Sequence, residues 1–268
     1  MKKHNSRTEI FLVLFLVLIT TYVHAQEVPE PESTARVGGP EKGLNLRFIQ
    51  NFGVQSYSLA GTGFTGDLNA TATPGSGLQL LYVMDKMAIR AEFNTKSTEF
   101  KPPSTLTPSL LTSKTNAGFI ETNFYPYLEE TGWKKTLYYG FGLDSLSRTA
   151  IETSPNVILT PSTRIGFRGS VGQTANLSKI FQLETTAWLT TPFVFEESGT
   201  KTGYKNYSAL FGLKLMFIYH VSHFIDFSLG LNSTYEMTTY KGTGTRAVTD
   251  GSETYTNLTM PIELRFQF

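Results

Sequence analysis

The chain has 268 residues, a formal net charge of +1 and no cysteine. A charge this close to zero gives no reason to expect a nucleic-acid partner, and the lack of cysteine excludes disulfides, thiolate nucleophiles and cysteine-ligated metals. The mean hydropathy of -0.13 is not that of a bundle of membrane helices.

Residues 1–25 have the pattern of a secretory signal peptide. Basic residues come first, and an apolar run of about ten residues, Ile10 to Ile19, follows them. This run is too short to span a bilayer, and the small residues around Ala25 predict cleavage after that position. The rest of the chain has no apolar run near the roughly 18 residues that a transmembrane helix needs, so a membrane-inserted mature chain would have to cross with strands.

Residues 26–42 are acidic, rich in Pro and Gly, and poor in apolar residues. This composition predicts a flexible tail without a core of its own. The pattern changes at residue 43, and we treat residues 43–268 as one domain.

Apolar and polar residues alternate in segment after segment of this domain. In the first segment, Leu44, Leu46 and Phe48 face away from Asn45 and Arg47. Alternation with a period of two is typical of a strand whose two faces meet different surroundings. About ten such segments follow one another along the chain.

The connections between the segments alternate in length, which is an independent signal. Short turns at one end and long loops at the other are typical of an up-and-down outer-membrane barrel. Short connections are expected at 84–86, 127–135, 172–178 and 221–223, and longer ones at 61–74, 97–113, 147–160, 196–205 and 237–252. The sequence therefore predicts an all-β, antiparallel, up-and-down transmembrane β-barrel of about ten strands, with eight or twelve as alternatives.

A soluble, lipocalin-like barrel would show the same alternation with its apolar face inside. Three features favour the membrane barrel. The polar face is rich in Gly and small residues, Phe and Tyr recur near the strand ends, and the chain ends on the aromatic residue Phe268.

The closing strand, with Phe266 and Phe268 on its apolar face, resembles the C-terminal assembly signal of Gram-negative outer-membrane β-barrel proteins. The resemblance covers residues 43–268 in architecture and singles out no subfamily. It implies a location in the cell outer membrane, lipid and lipopolysaccharide as surroundings, and recognition of Phe266 and Phe268 by the barrel-assembly machinery. An even number of strands would place both termini and the tail in the periplasm.

If the polar face lines the lumen, its positive and negative charges nearly balance. A selective pore tends to show a ring of one sign, so we expect ion pairs across a narrow, largely filled interior. The alternative is a small-solute channel in which some of these charges select the solute. The predicted lumen-lining residues are Arg47, Arg90, Glu92, Glu121, Asp144, Arg164, Arg168, Glu184, Lys214, Asp226, Glu263 and Arg265, with Glu236 beside them.

Arg164 and Arg168 share one face of a predicted strand. Two guanidinium groups on one face would suit an anion. Pairing with Asp144 or Glu184 on neighbouring strands is the simpler interpretation.

His220 and Ser222 resemble the His-x-Ser pair of membrane enzymes that deacylate lipid A, but only in those two residues. They lie at a predicted periplasmic turn, whereas those enzymes act at the outer leaflet, so we predict no catalytic residue. No metal site is expected, because His220 and His223 lack an accompanying carboxylate cluster. No cofactor is expected either, because no nucleotide-binding glycine motif occurs.

Three functions are compatible with these features. The first is a structural or small-solute transport barrel without catalysis. The second is a surface binding or adhesion module that acts through the long loops 97–113 and 237–252. The third and weakest is an outer-membrane lipid-modifying enzyme.

Overall fold

The computed structural model describes residues 42–61, 64–101, 111–127, 136–149, 151–153, 156–159, 162–197, 207–240 and 251–268. The predicted signal peptide and residues 26–41 of the predicted tail lie outside the described residues. No helix in the described ranges is long and apolar enough to cross a membrane. The chain forms the strands β1 (Gly43–Gly61), β2 (Phe64–Ala72), β3 (Gly75–Val83), β4 (Met87–Lys101), β5 (Leu111–Phe124), β6 (Tyr138–Arg148), β7 (Ile151–Thr153), β8 (Asn156–Leu159), β9 (Ser162–Asn176), β10 (Phe181–Glu197), β11 (Tyr207–His220), β12 (Ile225–Tyr240) and β13 (Gly251–Gln267).

Eleven of these strands form one antiparallel sheet that closes on itself. The order around the sheet is β13, β12, β11, β10, β9, β6, β5, β4, then β2 and β3, then β1, which pairs with β13 again. Because β2 and β3 occupy one position between β1 and β4, the ring has ten positions. The strands β7 and β8 form a separate two-stranded sheet.

The shared position of β2 and β3 is interrupted at Thr73 and Pro74. Proline has no N–H to donate, so a continuous strand is not expected to run through it. The interruption nevertheless stays bonded to both neighbours: the Thr73 N–H donates to the Gly53 carbonyl at 3.1 Å, and the Ser97 N–H donates to the Pro74 carbonyl at 3.0 Å. The wall of the barrel therefore stays closed across the interruption.

The seam between β1 and β13 closes the ring. Pairing runs without a break from Asn45 opposite Gln267 to Gly61 opposite Gly251. At its end, the Phe268 N–H donates to the Leu44 carbonyl at 2.9 Å, and the Leu44 N–H donates to the Phe268 carbonyl at 3.2 Å. Closure gives the backbone groups of both terminal strands a partner, which a strand in lipid requires.

The outer face of the sheet is apolar and the inner face is charged, which is the reverse of the arrangement in a soluble barrel. Outward-facing Phe141 and Phe167 are 65% and 62% exposed, whereas Glu121 and Glu263 are 1% and 0% exposed. Apolar side chains outside and charged ones inside are the pattern of a barrel that lies in lipid. The predicted fold, an all-β, up-and-down transmembrane barrel of about ten strands, is confirmed.

The outward apolar side chains form a belt nearer one end of the barrel. On β13, Leu258, Met260 and Leu264 are exposed, whereas the outward positions beyond them toward residue 251 are polar. The stretch 258–268 covers about 33 Å along the strand at about 3.3 Å per residue, which is about 25 Å of height at a usual tilt. That height matches the hydrocarbon band of an outer-membrane barrel.

We call the end of the barrel that holds residues 43 and 268 the turn end, and the opposite end the loop end. The short connections predicted at 84–86 and 221–223 are confirmed at the turn end: the Met84 N–H donates to the Met87 carbonyl, and the Val221 N–H donates to the Ile225 carbonyl. At the same end the exposed Lys42 pairs with Asp85, and this hydrogen bond and positive charge lower the pKa of the Asp85 carboxyl.

Several predicted connections are wrong. The predicted loop 61–74 contains β2, which pairs with β1 and β4. The predicted turn 172–178 begins too early, because β9 continues to Asn176 and the turn spans 177–180. The predicted loop 147–160 contains the end of β6 and the small hairpin of β7 and β8.

The errors at 61–74 and 147–160 have a common physical cause at the loop end. There the strands continue beyond the apolar belt, so their outward side chains are polar and the alternation disappears from the sequence. Backbone pairing does not need an apolar face, and it holds β12 together with β13 as far as Tyr240 and Gly251. A pattern based on side chains therefore ends before the strand does.

Candidate functional site in the barrel interior

The interior holds the charged side chains that the sequence predicts to line the lumen. They come from the inward positions of the ring, and their contacts fall into three groups stacked along the barrel. The buried ones are Arg47, Arg90, Glu121, Arg164, Arg168, Glu184, Asp226 and Glu263, and the partly buried ones are Glu92, Asp144, Lys214 and Arg265.

The first group, which we call the central network, crosses the middle of the lumen. Arg168 lies between two carboxylates, with its Nε 2.8 Å from Glu121 and an Nη 3.4 Å from Asp144. Glu121 also faces Arg90, at 3.6 Å. Arg90 in turn faces Glu184, at 3.8 Å.

The central network continues on the other side of Glu184. Arg47 contacts Glu184 at 3.0 Å and Glu263 at 3.3 Å. Lys214 contacts the other oxygen of Glu263 at 2.5 Å. The whole network therefore alternates in sign, in the order Asp144, Arg168, Glu121, Arg90, Glu184, Arg47, Glu263 and Lys214.

Members of the central network come from β1, β4, β5, β6, β9, β10, β11 and β13, which are eight of the ten ring positions. Side chains from opposite walls thus meet inside the barrel. Removing one member of a buried pair leaves an uncompensated charge and costs about 3–5 kcal/mol. Each carboxylate in the middle of the network is shared by two cations, so no single pair can open without disturbing the next.

The second group, the loop-end cluster, lies nearer the loop end. Arg148 binds Glu236 with both terminal nitrogens, and Arg164 also pairs with Glu236. Arg164 reaches Glu253 at 2.9 Å, and the Tyr57 hydroxyl lies 3.1 Å from the same carboxylate. This cluster is neutral, with two arginines and two glutamates.

The third group closes the turn end. Asp226 accepts a hydrogen bond from the Arg265 Nε at 2.5 Å and contacts the His220 Nδ1 at 2.7 Å. On the side of the turn end formed by β3 to β6, apolar side chains form a buried cluster. They are Leu81, Val83, Ala88, Tyr125 and Tyr138, and all are buried.

A cavity of about 130 Å³ lies between the central network and the loop-end cluster. Its wall contains charged side chains from both groups, together with Glu92 and Lys96 of β4. Glu92 accepts hydrogen bonds from the side-chain amides of Gln79 and Asn94. Within the part of the chain that the structure describes, Lys96 has neither an ion pair nor a hydrogen bond.

Arg164 and Arg168 do not form a joint anion site. Arg168 pairs with Asp144, as the simpler interpretation of the sequence predicts. Arg164 pairs with Glu236 and Glu253 of the loop-end cluster, and not with Asp144 or Glu184. Four residues along a strand span about 13 Å. Arg168 therefore belongs to the central network, whereas Arg164 belongs to the loop-end cluster.

Sequence reasoning missed Lys96, Arg148 and Glu253. All three occupy inward positions toward the loop end of their strands, outside the alternating segments recognised in the sequence. Continuing the alternation of β4 from Arg90, through Glu92 and Asn94, would have reached Lys96. The same step along β6 would have reached Arg148.

His220 lies at the end of a strand, and Ser222 lies in the turn that follows it. His220 is the last residue of β11, and its ring contacts Asp226. The Ser222 hydroxyl accepts a hydrogen bond from the Phe224 N–H at 3.2 Å within the turn. Among the described residues, no group of three or more His, Asp or Glu side chains is arranged to hold a metal ion.

The long loops proposed for surface binding lie largely outside the described residues. The structure shows only their edges, where β4 continues to Lys101 and β12 continues to Tyr240. The hypothesis that loops 97–113 and 237–252 bind a surface ligand stays a prediction.

No protein-family model matches the sequence, and no curated protein matches it at a significant level. Among solved structures, the chain is similar to the outer membrane protein OprG from Pseudomonas aeruginosa, with 12% identity and a TM-score of 0.42 over 86% of this chain and 98% of that one. It is similar to the outer membrane protease OmpT from Escherichia coli, with 12% identity and a TM-score of 0.42 over 89% and 99% of the two chains. An outer membrane channel from Pseudomonas putida F1 gives 11% identity and a TM-score of 0.41 over 89% and 100%. At these identities the similarity concerns the fold alone.

Proposed function

We propose that this chain is an integral outer-membrane barrel that admits small solutes and is closed at rest. The observation that carries the proposal is the central network, whose ion pairs bridge the lumen from eight of the ten ring positions. An open pore would keep its charged side chains against the wall, separated by water. Here they meet in the middle of the lumen.

The apolar belt supports the membrane location. Exposed Phe48, Phe93 and Phe217 on different strands would each lose favourable burial in water, at roughly 25 cal/mol per Å² of apolar surface. Contiguous apolar surface of this extent marks a lipid or protein contact. With the turn end in the periplasm, the tail 26–42 would lie there as well.

The cavity supports passage of a solute rather than a purely structural role. A barrel with only a structural role has no need of a polar space beside its closed section. This space is also bordered by Lys96, which makes no ion pair or hydrogen bond with a described residue. Solute passage would require the central network to exchange partners transiently.

Solute entry into vesicles tests the proposal. The refolded mature barrel is placed in lipid vesicles, and swelling is recorded in solutions of small amino acids and sugars. We expect entry that is slow but clearly above that of protein-free vesicles. Swelling no faster than in protein-free vesicles for every solute would contradict the transport role and leave the structural one.

A further inference from the structure

We propose that the cavity between the central network and the loop-end cluster binds a small organic monocarboxylate, and that Lys96 anchors its carboxylate. The inference rests on the proposed small-solute function and names the class of solute. Lys96 differs from the other charged residues of the cavity wall because it makes no ion pair or hydrogen bond with a described residue.

Those other charges already have partners. Arg148 and Glu236 bind each other, Arg168 binds Glu121 and Asp144, and Lys214 binds Glu263. The Glu92 carboxylate accepts hydrogen bonds from two side-chain amides. Lys96 faces the same cavity without an ion pair or hydrogen bond from any described residue.

A second observation points to an anion beside Lys96. Lys96 and Arg148 both pair with Thr115, from opposite sides of β5, so the two cations face the cavity at the same height and repel each other. Glu92 attracts the Lys96 ammonium from a distance without forming an ion pair with it. The buried Nε of Arg148 and the hydroxyl of Tyr255, which is 3% exposed, have no hydrogen-bond partner among the described residues. A carboxylate placed here would accept hydrogen bonds from these donors and reduce the repulsion.

The charge of the ligand is limited to one. Glu92, Asp144 and Glu236 also line the cavity, so a dianion such as a phosphate monoester would bring its second charge toward carboxylates. A cation is not favoured, because the Glu92 carboxylate is already satisfied by the amides of Gln79 and Asn94.

The size and lining of the cavity define the rest of the ligand. A cavity of 130 Å³ is close to the roughly 150 Å³ that accommodates benzene in an apolar protein interior. Leu146, Trp188 and Leu210 provide apolar wall. A compact apolar body with one carboxyl group, of about six to nine non-hydrogen atoms, fits these limits.

Calorimetric titration of the folded mature barrel in detergent micelles tests the inference, with benzoate as the probe. Benzyl alcohol serves as the neutral ligand of similar shape. The test variant is Lys96→Met, which keeps the length of the side chain and removes the charge. The control variant is Lys42→Met, which removes an exposed lysine at the turn end.

We expect benzoate to bind the natural chain more tightly than benzyl alcohol. Lys96→Met should weaken benzoate binding by about tenfold or more, the effect of losing a charged hydrogen bond, while Lys42→Met should stay within about twofold. Benzoate should also change the fluorescence of Trp188 in the cavity wall. The circular dichroism of each variant confirms that it has folded.

Three results would overturn the inference: no benzoate binding to the natural chain, equal binding of benzyl alcohol, or unchanged benzoate binding in a folded Lys96→Met barrel. The vesicle experiment separates these results from failure of the proposed function. Solute entry without benzoate binding would reject the ligand class alone, and benzoate binding without solute entry would reject transport.

Discussion

Three inward arginines, Arg90, Arg148 and Arg168, contact aromatic rings as well as carboxylates. The guanidinium of Arg148 lies 3.7 Å from the Tyr255 ring centroid, and that of Arg168 lies 4.0 Å from Phe119 and 4.7 Å from Trp188. A planar guanidinium can stack on a ring and donate hydrogen bonds in its own plane at the same time, which a lysine ammonium cannot do. The position of each of these three arginines is therefore defined on two sides.

Gly212 of β11 makes one of these contacts possible, which leads to a prediction. A Cβ at this position would come within 2.0 Å of the Trp188 ring, whereas a Cβ at Gly169 would meet nothing within 4 Å. We expect Gly212→Ala to displace Trp188 and to lower the free energy of unfolding by about 1–3 kcal/mol. Urea unfolding of the refolded barrel, followed by tryptophan fluorescence, measures both effects.

Gly169→Ala is the matched control and should change the free energy of unfolding by less than about 0.5 kcal/mol. Equal effects of the two substitutions would show that the space beside Trp188 has no special role.

Much of the interior could be predicted at the level of single residues, and the reason lies in the period of the strand. Arg47, Glu121 and Glu184 occupy inward positions because their neighbours in sequence are apolar and face lipid. Their partners could not be predicted, since contacts across the lumen depend on the register and tilt of strands far apart in the chain. Lys96 and Arg148 were missed because their neighbours Thr95 and Ser147 are polar and lie beyond the belt.

At the level of elements, each strand has a lipid-facing part and a part beyond the belt. On β6, Tyr139, Phe141 and Leu143 face outward within the belt, and Ser145 and Ser147 face outward beyond it. The end of the apolar part therefore marks the membrane boundary and not the end of the strand. This distinction explains why the number of ring strands was predictable and their loop-end limits were not.

The belt predicts that substitutions on β6 depend on depth. Phe141→Arg places a charge in the middle of the apolar belt and should destabilise the folded barrel in lipid by about 2–4 kcal/mol. Ser147→Arg, on the same face of the same strand but beyond the belt, should cost about 0–1 kcal/mol. Unfolding titrations in lipid vesicles compare the two, and equal costs would contradict the placement of the membrane.

The closing strand carries a separate prediction about assembly. Phe268 is 73% exposed, and its backbone completes the seam with Leu44. We expect deletion of Phe268 to reduce the amount of barrel inserted into the outer membrane of cells severalfold, because the resemblance of this strand to an assembly signal rests on that residue. Folding of the purified chain into micelles should change little by comparison.

Phe224→Ala is the control for this experiment, because it removes another exposed aromatic side chain at the same end and leaves the seam intact. Its insertion should match that of the natural chain. Normal insertion of the chain without Phe268 would show that assembly does not depend on that residue.

At the scale of the whole molecule, the inward charges and the closed seam belong to one closed barrel with ten ring positions. A ring of ten positions is wide enough to hold side chains and a small cavity, but too narrow for a wide aqueous channel. Its interior is divided by the central network. The cavity lies on the loop-end side, and the turn-end side holds a buried apolar cluster together with Asp226, Arg265 and His220. A solute held in the cavity would have to pass the network to cross the membrane.

Single-channel recording in planar lipid bilayers tests this closed interior most directly. The natural barrel should show no steady open current. The double variant Glu121→Gln with Glu184→Gln removes both carboxylates that face Arg90 and should produce open currents. Glu236→Gln with Glu253→Gln makes the same change in the loop-end cluster and should leave the barrel closed. A steady open current in the natural barrel, or equal currents in the two double variants, would contradict closure by the central network.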